Sequence, residues 1–159
     1  MSSTDSSVPR GGAASAARIR TRALTVVAAV LAAIIVWVIE VPVAGIDLVV
    51  HPVGAPTQQV GFASVPAISL TASLLGWALL ALLERVRAPD ARRIWTFTAV
   101  VIFVLSLFGP LTGAATPLVG AALIVLHVVV AGVLIAGLRR SAGPARGATV
   151  AANQKSRRD

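Results

Sequence analysis

The sequence predicts an all-α membrane protein: a bundle of four transmembrane helices with both termini on the cytoplasmic side. Three observations predict it. First, 57% of the 159 residues are hydrophobic and 13% are charged, about half the charged share of a soluble domain. A globule this small could not hide that excess, but a bilayer can. Second, the apolar residues gather into four long runs. Third, all fourteen Lys and Arg residues fall in three segments: Arg10 to Arg22, Arg85 to Arg93, and Arg139 to Arg158. The two remaining connections contain none. Cytoplasmic flanks retain Lys and Arg during insertion, so this asymmetry predicts an even number of crossings with both ends inside.

Each element follows in order. Residues 1–22 are rich in Ser, Ala, Gly and Arg, bury too little surface to offset ordering entropy, and are expected to be a disordered basic tail. The first span is expected at about 23–44. Its apolar run exceeds the core of a secretory signal, and Pro42-Val-Ala44 is a poor cleavage site, so an uncleaved span is expected. The loop Gly45–Gly61 has no basic residue and should lie outside. Its prolines and glycines oppose a regular helix, with a brief extended stretch possible between Ile46 and Val50. Further spans are expected at about 62–83, 94–111 and 117–138, each near the length needed to cross about 30 Å of hydrocarbon. The third is short and meets Gly109-Pro110, where proline should stop or kink the helix. Residues 141–159 return to Ala, Gly, Ser and Arg, and are expected to be a second disordered tail.

Composition excludes several classes of function. A net charge of +8 would suggest nucleic acid if it formed a patch interleaved with aromatics. Here the basic residues flank spans and fill short tails, so contact with the lipid bilayer and its anionic headgroups accounts for them, and no nucleic-acid partner is expected. The chain has no cysteine, which removes thiol chemistry, disulfides and Cys-ligated metals. It contains no phosphate-binding loop, dinucleotide fingerprint, H-E-x-x-H or G-x-S-x-G motif. No cofactor and no enzymatic activity are expected.

Polar residues at membrane depth are the places to look for function, because they are costly there and face the bundle interior. Counted from the basic ends of their spans at 1.5 Å per residue, Ser73, His127 and Ser106 lie about 15, 16 and 18 Å deep. They form one candidate intramembrane site. A neutral imidazole there can relay protons or bind a ligand; it can equally be structural, joining helices by hydrogen bonds worth about 0.6 kcal/mol. Glu40, near the far end of span one, and Asp47 beyond it form a candidate outer acidic site. Alternatively, Glu40 marks the membrane interface. Trp95 suits an interfacial belt. Ala28, Ala32, Ala72 and Gly76 offer small residues at the four-residue spacing that lets helices approach closely. Glu84 beside Arg85 reads as a salt bridge at the inner boundary.

Taken together, Gly45-Ile-Asp-Leu48, the run Ser73 to Arg85, Leu105-Ser-Leu-Phe-Gly-Pro-Leu111, and His127 with Gly137-Leu-Arg-Arg140 resemble a family of small four-span actinobacterial membrane proteins of unknown function. The resemblance covers about 23–140. It implies the architecture and nominates Asp47, Trp77, Glu84, Ser106, Pro110 and His127 for testing, but it implies no reaction. The expected function is that of a non-enzymatic accessory or interaction protein of the bacterial plasma membrane, acting as a homo-oligomer or with a membrane protein partner. The alternative is a small oligomeric proton-coupled transporter using His127.

Overall fold

The structure, a computed structural model, describes residues 10–86 and 90–141. Helix α1 runs Arg10–Val38 and passes into a π-helical turn, Ile39–Val43. A two-stranded hairpin follows, β1 Val49–Val50 with β2 Gln58–Gln59. Then come α2 Ser64–Val86, α3 Ala91–Ser106, α4 Phe108–Gly113 and α5 Pro117–Ser141. Four segments, with α3 and α4 counting as one, are long and apolar enough to cross a membrane. The chain is a multi-pass, all-helical membrane protein.

Local chemistry sets the helix ends. Pro117 occupies the first turn of α5, where its missing N–H costs nothing. Thr116 Oγ1 accepts from the Val119 amide at 3.2 Å, capping a donor that the helix leaves free. Pro42 cannot donate to the Val38 carbonyl, and the chain widens around it: the Ala44 amide reaches the Ile39 carbonyl five residues back at 2.9 Å. Pro110 acts likewise. It cannot serve the Ser106 carbonyl, so the helix breaks at Leu107, whose amide reaches only three residues back to Val104 at 3.2 Å. The break therefore precedes the proline, and helix resumes through it to Gly113.

One expectation about the tails is corrected. The segment expected to be a disordered tail is helical from Arg10 onward. Ala13, Ala14, Ala16, Ala17 and Arg18 are strong helix formers, and an existing helix extends at far less cost than a new one nucleates. Residues 1–9 and 142–159, which hold the rest of the two tail calls, lie outside the described residues.

Helix α1 packs most extensively on α5 and then on α2, while α3 packs on α2 and α5, closing a ring of four. The core is layered along the bundle axis. At the hairpin end, Leu48 packs with Val119, Ala122 and Leu123. Ala33, Val65 and Leu126 form the next layer, and Leu80, Trp95 and Leu138 form the layer at the basic end. The small residues through which α1 packs are Ala29 and Ala33, both fully buried. Ala28 is exposed, so the expected small-residue face is displaced by one residue. Close approach is tightest between α1 and α5 at Thr25 and Gly137.

The hairpin closes one end of the bundle. Val49 pairs with Gln59 and Val50 with Gln58, within the stretch expected to be extended. On its other edge, β1 meets the α4–α5 connection. The His51 amide donates to the Gly113 carbonyl at 2.6 Å, and the Ala115 amide donates to Val49 at 3.1 Å. Trp37 at the top of α1 donates its indole N–H to the Val60 carbonyl at 3.1 Å and stacks edge-on against Phe62 with centroids 5.3 Å apart. Leu48, buried by this arrangement, is the plug of the cap.

Candidate functional site

The three mid-depth residues are present at the expected helical positions but do not join hands. His127 Nδ1 lies 2.7 Å from the Leu123 carbonyl, one turn back on α5. Ser73 Oγ, fully buried, donates to the Ser69 carbonyl at 2.6 Å. Ser106 Oγ donates to Phe103 at 2.7 Å. Each of these contacts stays on its own helix, the usual solution for Ser in an apolar setting. No hydrogen bond links any two of the three among the described residues. The hydrogen bonds at these three positions run within single helices and bridge no two of them.

The acidic pair also separates. Asp47 is exposed on the cap. Glu40 is turned inward, 7% exposed, on the same face of α1 as Ala33 and Trp37. Its Oε2 is buried with no hydrogen-bond partner. The spacing Ala33, Trp37, Glu40 keeps Glu40 on the packed face of α1 as the helix passes into the π turn. No group of three metal-ligating side chains occurs among the described residues, so Glu40, Asp47 and His51 do not assemble a cation site. His51 is instead paired with Thr57 across the hairpin loop, Nδ1 to Oγ1 at 2.9 Å. A buried polar atom without a partner is uncommon in a folded protein and calls for an explanation. Its position on a π turn, a geometry frequent at functional sites, makes Glu40 the most conspicuous side chain in the molecule.

At the basic end, residues that sequence reasoning set aside form the densest polar contact. Arg22 is 6% exposed. Its Nη2 donates to Glu84 Oε1 at 2.6 Å, and its Nε to Ser141 Oγ at 3.2 Å. Nη2 also reaches the Ser141 carbonyl at 3.4 Å, and Ser141 Oγ donates to Leu138 at 2.8 Å. One guanidinium thereby ties α1, α2 and α5 together and places the start of the first span beside the end of the last. Glu84 pairs with Arg22, 62 residues away, rather than with its neighbour Arg85. Adjacent residues diverge around a helix, whereas the bundle brings α1 and α2 together. The available signal was an acid at the very end of a span, beside the basic residues of that end, which needs a cationic partner there.

Trp95 likewise belongs to the interior. It is 2% exposed, packs with Leu80 and Leu138, and donates its indole N–H to the Gly76 carbonyl at 2.8 Å. The interfacial-belt expectation is thus corrected. A buried Trp settles where its N–H finds an acceptor.

The sequence profile of a family of unknown function, DUF6069, matches residues 13–144. The chain belongs to DUF6069. The match takes in all four spanning segments, the hairpin cap and every residue of the two polar clusters described above. DUF6069 carries no assigned reaction, so the geometry is what remains to reason from. No curated protein and no solved structure matches the chain.

Proposed function

We propose that this chain is a non-enzymatic accessory or interaction protein of the bacterial plasma membrane, with both termini and the basic end of the bundle in the cytoplasm. The observation that carries the reading is that the mid-depth polar side chains do not link helices: His127, Ser73 and Ser106 each bond to their own helix. A core of interdigitated apolar layers, sealed by a cap at one end and an arginine clamp at the other, suits a rigid body that presents surfaces. The orientation rests on the basic residues, which collect at the clamp end. The surfaces it offers within the bilayer are broad, with Phe97, Ile102, Leu105 and Phe108 exposed on the α3–α4 segment. Homo-oligomers or another membrane protein are the partners such a surface serves.

A second reading draws on Glu40. Its unpartnered buried oxygen supports a small oligomeric carrier that handles protons or cations near the hairpin end. One experiment separates the two. Purified full-length chain in proteoliposomes is placed under an imposed pH gradient, with a pH-sensitive dye inside. The expected result is dissipation no faster than in protein-free vesicles. Faster dissipation that disappears in Glu40→Gln or His127→Asn would move the carrier reading to first place. Orientation has its own test, made simple by the absence of native cysteine. In whole cells, an impermeant maleimide should label Asp47→Cys and leave Arg92→Cys unlabelled.

A further inference from the structure

A groove of about 430 Å³ runs between α1 and α5 at the basic end of the bundle. Its walls are apolar, formed by Leu24, Ala28, Val133 and Ala136, and Thr21 and Arg140 stand at its basic-end mouth. The groove is shallow and open along one side. From Thr21 to Ala28 the slot follows α1 for about 10 Å at 1.5 Å per residue, a length suited to a stretch of hydrocarbon chain. The threonine hydroxyls at the groove are already committed: Thr21 Oγ1 donates to Ala17 at 3.0 Å, and Thr25 Oγ1 donates to Thr21 at 2.9 Å. The charge at the mouth is different. Arg140 is exposed there, and Arg18, three residues before Thr21 on the same face of α1, is exposed as well. Among the described residues the one ion pair is Arg22 with Glu84, and no carboxylate of those residues pairs with Arg18 or Arg140.

We infer that this groove is a binding site for an anionic phospholipid, with an acyl chain lying in the apolar slot and the headgroup phosphate between the guanidiniums of Arg18 and Arg140. Charge complementarity commits the occupant. A zwitterionic lipid would fill the slot but bring a quaternary or primary ammonium to a mouth already carrying two positive charges. A free phosphate would meet the arginines but leave the slot empty. Guanidinium matches phosphate oxygens in a planar, two-point contact, and basic pockets between helices at the cytoplasmic face are established geometry for anionic headgroups. The inference deepens the proposed reading, since it rests on the basic end facing the inner leaflet and supplies one partner of that end.

The test is native mass spectrometry of the full-length chain in detergent, titrated with phosphatidylglycerol or phosphatidylcholine. Phosphatidylglycerol adducts should form at the lower lipid concentration. Arg18→Gln and Arg140→Gln should each weaken them about fivefold, and the pair together about 25-fold, the fold-change that corresponds to about 1 kcal/mol per basic residue near an anionic headgroup. Arg92→Gln with Arg93→Gln, at the same end but on α3, should leave binding unchanged. Ala136→Phe, which fills the slot and keeps both arginines, should weaken both lipids. Equal binding of the two lipids, or equal loss in the α3 variant, would overturn the site in favour of diffuse surface charge. Displacement of the lipid by millimolar glycerol phosphate would assign the arginines to a free phosphate. If Ala136→Phe dissociates an oligomer and spares lipid adducts, the groove belongs to a second copy. The assay is blind to orientation, so maleimide labelling and lipid binding can fail separately.

Discussion

Replacing Gly137 by alanine tests the tightest contact in the bundle. A Cβ at this position would lie 2.5 Å from Thr25 Oγ1 and 2.9 Å from Thr25 Cβ, and closer still to Cγ2. Thr25 cannot simply rotate away. Its hydroxyl is held by the Thr21 carbonyl at 2.9 Å, and a β-branched side chain always turns one of its two γ atoms toward its neighbours. The helices must therefore separate along a seam that includes Ala29 and Ala33, both fully buried. Overpacking of this kind costs up to about 3 kcal/mol. The intrinsic preference of helices for Ala over Gly returns about 1 kcal/mol, which leaves a net loss of about 2 kcal/mol. Thr25→Ala removes both γ atoms and leaves only the 2.9 Å approach to Cβ, which a shift of a few tenths of an ångström relieves. The double variant should recover most of the loss, with a coupling energy of at least about 1 kcal/mol. The measurement is unfolding in mixed micelles as the denaturing detergent fraction rises, followed by far-ultraviolet circular dichroism. A Gly137→Ala protein as stable as the original, or a double variant no better than the single, would refute the close packing of α1 on α5.

Three further perturbations read other parts of the structure by the same assay. Glu84→Gln should cost up to about 3 kcal/mol, because it strands the buried guanidinium of Arg22; Arg22→Gln leaves behind the more exposed Glu84 carboxylate and should cost less. If each costs under about 0.5 kcal/mol, the clamp is only a surface ion pair. Glu40→Leu should stabilise the chain by about 1–3 kcal/mol, since it removes a buried oxygen that has no partner. Loss of stability instead would show that the carboxylate is satisfied in the membrane. Trp95→Phe should cost about 1 kcal/mol beyond its lost area, by withdrawing the donor from the Gly76 carbonyl, and no loss would place the indole elsewhere.

The legible part of this fold is the part governed by the bilayer. Span number and approximate limits follow from run length, because hydrocarbon thickness imposes one dimension on every crossing helix. The break at Pro110 was legible as proline chemistry, although it falls ahead of the ring, near the carbonyl the proline leaves unserved; the π turn at Pro42 was not anticipated. Side-chain pairing was not legible. Choosing Arg22 for Glu84 over the adjacent Arg85 requires knowing that α1 and α2 are neighbours, and no periodicity carries that. Rotation of a helix about its axis was equally hidden. A run of Ala, Val, Ile and Leu is apolar on every side, so it cannot distinguish Ala28 from Ala29 or turn Glu40 inward. Equal depth placed His127, Ser73 and Ser106 at one level, but depth alone does not decide whether side chains reach across or bend back to their own backbones.

The position of β1 between two partners has a consequence for biogenesis. One of its edges is satisfied as soon as the first loop leaves the ribosome and folds on itself. The other waits for Gly113 and Ala115, which lie on the far side of the third span. During synthesis the first helical pair therefore sits in the bilayer with a strand edge open to water and Leu48 short of its seat on α5. Only arrival of the last hairpin closes both. The first loop and the last hairpin are thus folded as one unit: a product that lacked the fourth span would leave the second edge of β1 unpaired and Leu48 without its partners on α5.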